Sequence, residues 1–267
     1  KILENKSNKI LAIDRDKSSF KIINQFKKKY QGRFDFENKK FSEILNTEKK
    51  INNLKGIIFD LGYSTTQIKD PKKGLSFNSK GKLNMRMGFN SISASDVINK
   101  LEQKELSIIF KIFGEEKQSN IISKKILSLR KKKIIQSEDL VSIINSTKKN
   151  KFSKIHNATK VFQSLRIVVN NEISELIYGL INSFKILPIG GIIVVVSFHS
   201  IEDKIIKFFF KNYSEVKNNS RYLPPNKENK KLFEVIEKKP ITPQKQEIKF
   251  NPASRSAKLR YGIKLNN

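Results

Sequence analysis

Apolar positions in the first third of the chain alternate between two periods. "KILAID" (Lys9–Asp14) predicts a buried strand, and "KSSFKIINQFKKKY" (Lys17–Tyr30) places Phe20, Ile23 and Phe26 at helical spacing. "FDFENKKFSEI" (Phe34–Ile44) predicts a short strand followed by a turn. "LKGIIFDLG" (Leu54–Gly62) is a continuous apolar run ending in Asp and Gly, the pattern of a strand buried in a parallel sheet. This βαβ rhythm argues for a doubly wound α/β sheet. Ligands of such sheets sit at the carboxyl ends of the strands, where Asp14 and Asp60 fall.

Residues 63–90 form a long polar loop with Gly74, Gly81 and Gly88, and a loop of that length in a compact domain points to function or disorder. From Ser93 to Asn157 the pattern turns helical and basic, with "RKKK" (Arg130–Lys133) and "KKNK" (Lys148–Lys151). The βαβ rhythm stops there and resumes later. The expected division is therefore residues 1–92 and 158–267 as two parts of one α/β domain, with 93–157 an inserted helical subdomain.

"TKVFQSLRIVVNNEISELIYGLINSF" (Thr159–Phe184) predicts one long helix with an apolar stripe of Phe162, Leu165, Val169, Ile173, Leu176, Leu180 and Phe184. Gln163, Arg166 and Asn170 share another face of it, which taken alone reads as solvated surface. Pro188 and Gly190–Gly191 end the helix, and "IIVVVSF" (Ile192–Phe198) predicts the next central strand. "NYSEVKNNSRYLPPNKENKK" (Asn212–Lys231) predicts a mobile loop, and "LFEVI" (Leu232–Ile236) a strand. "SAKLRYGIKL" (Ser256–Leu265) alternates strictly, with Ala257, Leu259, Tyr261, Ile263 and Leu265 on one face of a closing strand.

Charge narrows the partners. Fifty-four Lys and Arg face 25 Asp and Glu in 267 residues, a net +29. That excess favours a polyanion, because each cation that neutralises a phosphate releases a condensed counterion. The abundance of Lys, Ile and Asn also fits compositional drift in an AT-rich genome. There is no Cys, so there is no disulfide framework, no thiolate nucleophile and no Cys-ligated zinc. No apolar run approaches the ~20 residues of a membrane span, and a cytoplasmic protein is expected. The chain opens at Lys1 and reaches a strand almost at once, so a preceding strand and loop are expected upstream.

"SFHSIED" (Ser197–Asp203) gathers Ser197, His199, Ser200, Glu202 and Asp203, which look like the parts of a hydrolase. The reading fails on geometry. No Gly flanks either Ser to make a nucleophile turn, and the only other His is His156. Neighbouring residues of an extended strand point to opposite sides. "SIEDK" instead suggests a helix start, with Ser200 as its cap and Glu202 and Asp203 at the positive end of its dipole. Two His without H-x-x-x-H spacing, and no EF-hand pattern, leave no metal site to expect.

Several segments read together are more specific: "LAIDRDKSSF", "GIIFDLGYSTTQIKDPKKGLSFNSKGKLNMRM", "FGEE", "ATKVFQSLRIVVNNEISEL", "GGIIVVVSFHSIEDKI" and "NPASRSAKLR". In this order, from about Lys9 to Leu265, they resemble the bacterial 16S rRNA (cytosine-N4)-methyltransferase family. The resemblance implies a class I Rossmann-like fold that uses S-adenosylmethionine (SAM), with a helical insert that helps to hold RNA. It implies methyl transfer to N4 of a cytosine in the decoding region of small-subunit rRNA. By the family's motifs, Asp14, Phe41, Asp60 and Gln67 would bind SAM. The family's Gly-rich SAM loop lies before Lys1, and Asn84 and Gly88 stand where two carboxylates are usual.

The missing thiolate fits this target, because methylation at cytosine C5 generally needs covalent activation by one, whereas an exocyclic amine attacks directly in line. Asn84 and Ser197 are candidate acceptors for N4–H, and His199 or Phe198 a candidate to pack against or orient the base. Arg86 and Arg166, with Gln163 and Asn170, are candidate RNA contacts. The implied partner is small-subunit rRNA or the ribosomal small subunit, with no membrane, and a monomer or homodimer. Two alternatives stay open: methylation of another RNA atom, and a non-catalytic rRNA-binding protein.

Overall fold

The computed structural model describes residues 1–48, 51, 53–79, 81–148, 156–215 and 230–266. Most of the expected loop after Tyr213, and Lys149–Lys151 of "KKNK", lie outside them. The chain forms two compact units, one of residues 1–38 and 63–173 and the other of residues 39–62 and 174–267.

The first unit opens with β1 (Ile10–Ile13), α1 (Phe20–Lys29) and β2 (Phe34–Glu37). The two strands pair in parallel, Ile10 opposite Phe34 and Ile13 opposite Glu37. A parallel pair needs a crossover, and α1 supplies it. In the second unit β3 (Gly56–Asp60) follows, and the chain then returns to the first unit.

There the long polar loop carries only the short α2 (Thr65–Lys69). It is followed by α3 (Ala94–Lys100), α4 (Gln103–Phe113), α5 (Ser119–Arg130), α6 (Ser137–Thr147) and α7 (Thr159–Asn170). Their apolar faces close on one core that includes Ile98, Leu106, Phe110, Ile126, Leu140, Ile144 and Leu165, all fully buried. Leu83 and Met85 from the polar loop enter this same core with no exposed surface. The loop is therefore anchored on the helices through its apolar residues.

The expected long helix is two helices. Asn171 adopts a left-handed conformation, φ 52°, and ends α7; α8 (Glu172–Ile186) starts immediately after it. Asn tolerates this region better than most residues, and the apolar stripe does not reveal the break because it continues on both sides.

The second unit is built on a sheet in the order β3, β4 (Ile192–Ser197), β6 (Lys258–Lys264), β5 (Phe233–Glu234). β3 and β4 are parallel; β6 runs antiparallel to both of its neighbours. α8 and α9 (Ser200–Ser214) bury Leu176, Leu180, Ile206, Phe209 and Phe210 against Phe59, Ile193 and Val195. A short α10 (Lys245–Phe250) precedes β6.

One expectation changes here. β3 is buried on one face only: Phe59 and Leu61 face the core, while Ile58 is 56% exposed. β6 alternates as its sequence says, and the face turned inward is the one opposite its apolar residues. Arg260, Gly262 and Lys264 are buried, and Leu259, Tyr261 and Ile263 are half-buried. The inward cations are satisfied. Arg260 Nε donates to Asp203 at 2.7 Å, and Lys264 Nζ donates to the carbonyls of Phe184 and Leu187 at the end of α8. Gly262 leaves room for the Phe210 ring, which would lie 2.8 Å from an added Cβ.

Candidate cofactor and RNA residues

In the first unit the residues converge on the turn that follows β1. Asp14 ends the strand, and its Oδ1 accepts the Asp16 backbone N–H at 2.8 Å. Burial pushes the Asp14 carboxyl above its usual range, only partly offset by that hydrogen bond and by Arg15 and Lys73. Asn38 Nδ2 donates to the Asp14 carbonyl.

Gln67 is brought to the same place. It is the N3 residue of α2, whose cap is Ser64: Ser64 Oγ accepts the Gln67 N–H, and Gln67 Oε1 accepts the Ser64 N–H at 2.9 Å. Gln67 Nε2 then donates to Asp16 Oδ2 at 2.6 Å. Lys73 Nζ reaches the same oxygen at 2.5 Å. Asp16 was not singled out by sequence; the one signal for it is a second Asp at i+2.

The "NMRMG" run sits above this turn. Asn170 is fully buried and bonded all round. Its Oδ1 accepts from Met87 N and Asn90 Nδ2, and its Nδ2 donates to the carbonyls of Met85 and Arg166. Its own carbonyl accepts from Arg15. Met85 takes a positive φ of 57°, and Gly88 one of 63°. A Cβ on Gly88 would overlap the Arg15 carbonyl oxygen, so the loop approaches this turn only with Gly there.

The expected polar wall on α7 is therefore not a free surface. Asn170 is interior. Gln163 Nε2 donates to the Phe113 carbonyl at 3.3 Å. Arg166 grips Glu172 through Nε and Nη2 at 3.0 and 3.2 Å, and lies over the Tyr63 ring at 4.4 Å. Tyr63 O–H donates to Glu172 at 2.5 Å; burial, and next the Glu172 charge, hold its pKa well above normal. Arg86 is different. It is exposed, with Nε on Asn84 Oδ1 at 2.8 Å and Nη1 on the Ser91 carbonyl, so most of its five N–H donors face outward. The Asn84 amide oxygen is thus bound to Arg86, and its Nδ2 to the Lys72 carbonyl.

In the second unit Asp60 ends β3; its carboxylate has no hydrogen bond or ion pair among the described residues, and burial raises its pKa. Leu61 and Gly62 follow. Gly62 has φ +96°, and a Cβ there would lie 3.1 Å from the Phe198 ring. Phe198 therefore packs across the backbone just after Asp60. Phe41 packs edge-on against Phe59, centroids 5.6 Å apart, and lies so close to α8 that a Cβ on Gly179 would sit 2.7 Å from its ring. Gly179 is a second residue that sequence reasoning passed over.

"SFHSIED" turns out to be a strand end and a helix cap. The cap of α9 is His199, not Ser200, with its ring Nδ1 toward the Glu202 N–H. Glu202 Oε2 accepts the backbone N–H groups of Phe198 and His199 at 3.0 and 3.3 Å, and its Oε1 lies 3.1 Å from His199 Nε2. Asp203 binds Lys258 and Arg260. Ser197 is buried and its hydroxyl points at the Lys258 carbonyl, 3.4 Å away.

Within the first unit, Asp14 keeps one carboxylate oxygen and Gln67 one amide N–H beyond their bonds to Asp16, a donor set whose chemistry suits ribose hydroxyls at a strand's carboxyl end. Within the second unit, Asp60 has a carboxylate and Phe41 a half-buried ring.

A mixed α/β chain with acidic residues at successive strand ends, parallel strand pairs and a helical segment between them is a Rossmann-like methyltransferase. More closely, the chain belongs to the MraW methylase family, which its residues 1–265 match. Three similar proteins are each named "Ribosomal RNA small subunit methyltransferase H". That of Orientia tsutsugamushi is 38% identical over 99% of this chain and 88% of its own length. That of Sulfurihydrogenibium sp. is 37% identical over 98% and 86%, and that of Rhodopseudomonas palustris 35% over 98% and 80%. Among the described residues no helix is long and apolar enough to cross a membrane.

Proposed function

We propose that this protein transfers a methyl group from SAM to N4 of a cytosine in the decoding region of small-subunit rRNA, in the cytoplasm. The observation that carries the cofactor assignment is Asp14, held by Asp16 N–H at the end of β1 with an acceptor oxygen to spare. The substrate assignment rests on the family and on the printed name of the relatives.

Asp14 and Gln67 are assigned to the ribose and adjoining atoms, Phe41 to the adenine, and Asp60 to the cofactor's remaining polar groups. SAM, when bound, supplies an electrophilic methyl on a sulfonium. The protein's part is alignment, which is worth up to about 7–11 kcal/mol when reacting groups are held in an attack geometry. A base inside a folded RNA must leave its stack to be methylated. Phe198, anchored over Gly62, offers it an aromatic edge. Arg86, held at Nε by Asn84, is assigned to phosphate or base, and Asn170 holds the loop that carries it, while Gln163 and Arg166 are bonded to Phe113 and Glu172. Residues 93–157 are assigned to an inserted RNA-recognition subdomain whose lysines add sequence-independent affinity.

Purified protein given small ribosomal subunits that lack the modification, with methyl-labelled SAM, is expected to label the rRNA. Asp14→Ala is expected to abolish the labelling while leaving the fold intact. RNA binding without labelling would favour the non-catalytic reading.

A further inference from the structure

We propose that Asp16 is a positioning residue for the cofactor, acting through Gln67 and the turn at Asp14. The inference rests on the reading that Asp14 and Gln67 bind SAM.

Asp16 is 6% exposed, and a carboxylate so buried needs partners. It has them on both of its chemical sides. Its backbone N–H fixes one oxygen of Asp14 at 2.8 Å, leaving the other directed elsewhere. Its Oδ2 accepts from Gln67 Nε2 at 2.6 Å and from Lys73 Nζ at 2.5 Å. A carboxylate only accepts hydrogen bonds, so it selects the NH2 end of the Gln67 amide. The Ser64 N–H selects the oxygen end. The two together set the amide plane and leave one N–H of Gln67 for a ligand.

The turn itself is held from outside. Arg15 Nη1 donates to the Asn170 carbonyl at 2.9 Å, Ser19 Oγ to the Asp16 carbonyl at 2.7 Å, and Gly88 presses on the Arg15 backbone. Lys73 is 16% exposed at its side chain and gains its counter-charge from Asp16. Asn at position 16 can keep one acceptor oxygen for both donors but removes the charge. That weakens the bond to Gln67 and leaves the half-buried Lys73 without its counter-charge.

The test is a double-mutant cycle on SAM binding, measured by calorimetry and without turnover, with melting temperature followed for each variant. Asp16→Asn is expected to weaken SAM at least tenfold, raising its KM by a similar factor while kcat changes less than threefold. Asp16→Glu, which keeps the charge, recovers part of the loss. In a Gln67→Ala background Asp16→Asn is expected to add less than a threefold further loss. Independent, additive losses would overturn the proposal, as would unchanged affinity in Asp16→Asn. If Asp16→Asn does not fold, Lys73→Met carries the cycle. It leaves Asp16 in place, is expected to weaken SAM at least threefold, and must lose that effect in the Gln67→Ala background. Failure of the underlying reading looks different: wild type would not bind SAM, or Gln67→Ala would bind it as wild type does.

Discussion

Asn170 Oδ1 accepts the backbone N–H of Met87 at 2.9 Å, across 83 residues of sequence. The same amide holds the Met85 carbonyl, so one side chain on α7 fixes the loop segment that carries Asn84, Arg86 and Gly88. Asn170→Ala strands a buried donor and a buried acceptor, at about 1–3 kcal/mol each. Chemical denaturation is expected to show a loss of about 2–6 kcal/mol. Asn170→Asp keeps the acceptor for Met87 but sets a buried carboxylate oxygen against the Met85 and Arg166 carbonyls, so it should lose at least as much as the alanine variant. Equal stability of wild type and Asn170→Ala would disprove the role.

Gly179 separates helix propensity from function. Replacing a helical Gly with Ala ordinarily stabilises by about 1 kcal/mol. Here the new methyl would meet Phe41 at 2.7 Å and Phe59 at 3.1 Å. Gly179→Ala is therefore expected to lower the melting temperature and to weaken SAM severalfold, because Phe41 must move. A stabilised variant with unchanged SAM affinity would show that Phe41 has room to yield.

The acid side of the stability profile should depend on Asp203. Burial alone would raise its pKa, but the bonds from Arg260 and Lys258 outweigh it and hold the carboxyl below its usual range. A carboxyl depressed in the folded state binds fewer protons folded than unfolded. Its contribution is complete above the unfolded value of about 4 and is lost as pH falls through the folded value. Asp203→Asn should destabilise the protein at neutral pH and flatten the decline below about pH 4. Asp14 has the opposite sign. Burial raises its pKa, so its ionised form is a cost near neutrality that acid relieves. Asp14→Asn is expected to raise the melting temperature of the cofactor-free protein while removing SAM binding. Melting curves from pH 3 to 8 check both.

RNA affinity should be strongly salt-dependent. Lys131 and Lys132 are exposed after α5, whereas Lys133 is paired with Asp139 at 2.6 Å. If both exposed lysines contact phosphate, Lys131→Ala/Lys132→Ala reduces the slope of log K against log salt by roughly 1.4–1.8. Lys133→Ala reduces it less. Filter binding at a series of salt concentrations measures this, and no change in slope for the pair would remove them from the RNA surface.

Much of the scaffold was legible in the sequence. Period and composition found β1, α1, β2, β3, β4 and β6, and put Asp14 and Asp60 at strand ends, because strand periodicity and terminal acids are local features. The helix break at Asn171 was hidden because apolar spacing continues through it. The inward face of β6 is not legible, because alternation says which residues share a face, not which face is covered. Arg260 and Lys264 can go inside only with Asp203 and the α8 carbonyls as partners, and those lie far away in sequence. Gln163, Arg166 and Asn170 did share a helix face, but it is turned to protein groups. Asp16 and Gly179 carry no motif of their own. Each matters only through a contact that folding creates.

The identity of the methylated atom tests the proposed reaction most directly. Small ribosomal subunits lacking the modification, incubated with the purified protein and SAM, would be digested to nucleosides and analysed by mass spectrometry. N4-methylcytidine at a single decoding-region position is the expected result. A methyl group on C5, on a ribose 2′-oxygen or on another base would contradict the proposed reaction, and its absence despite SAM and RNA binding would contradict catalysis.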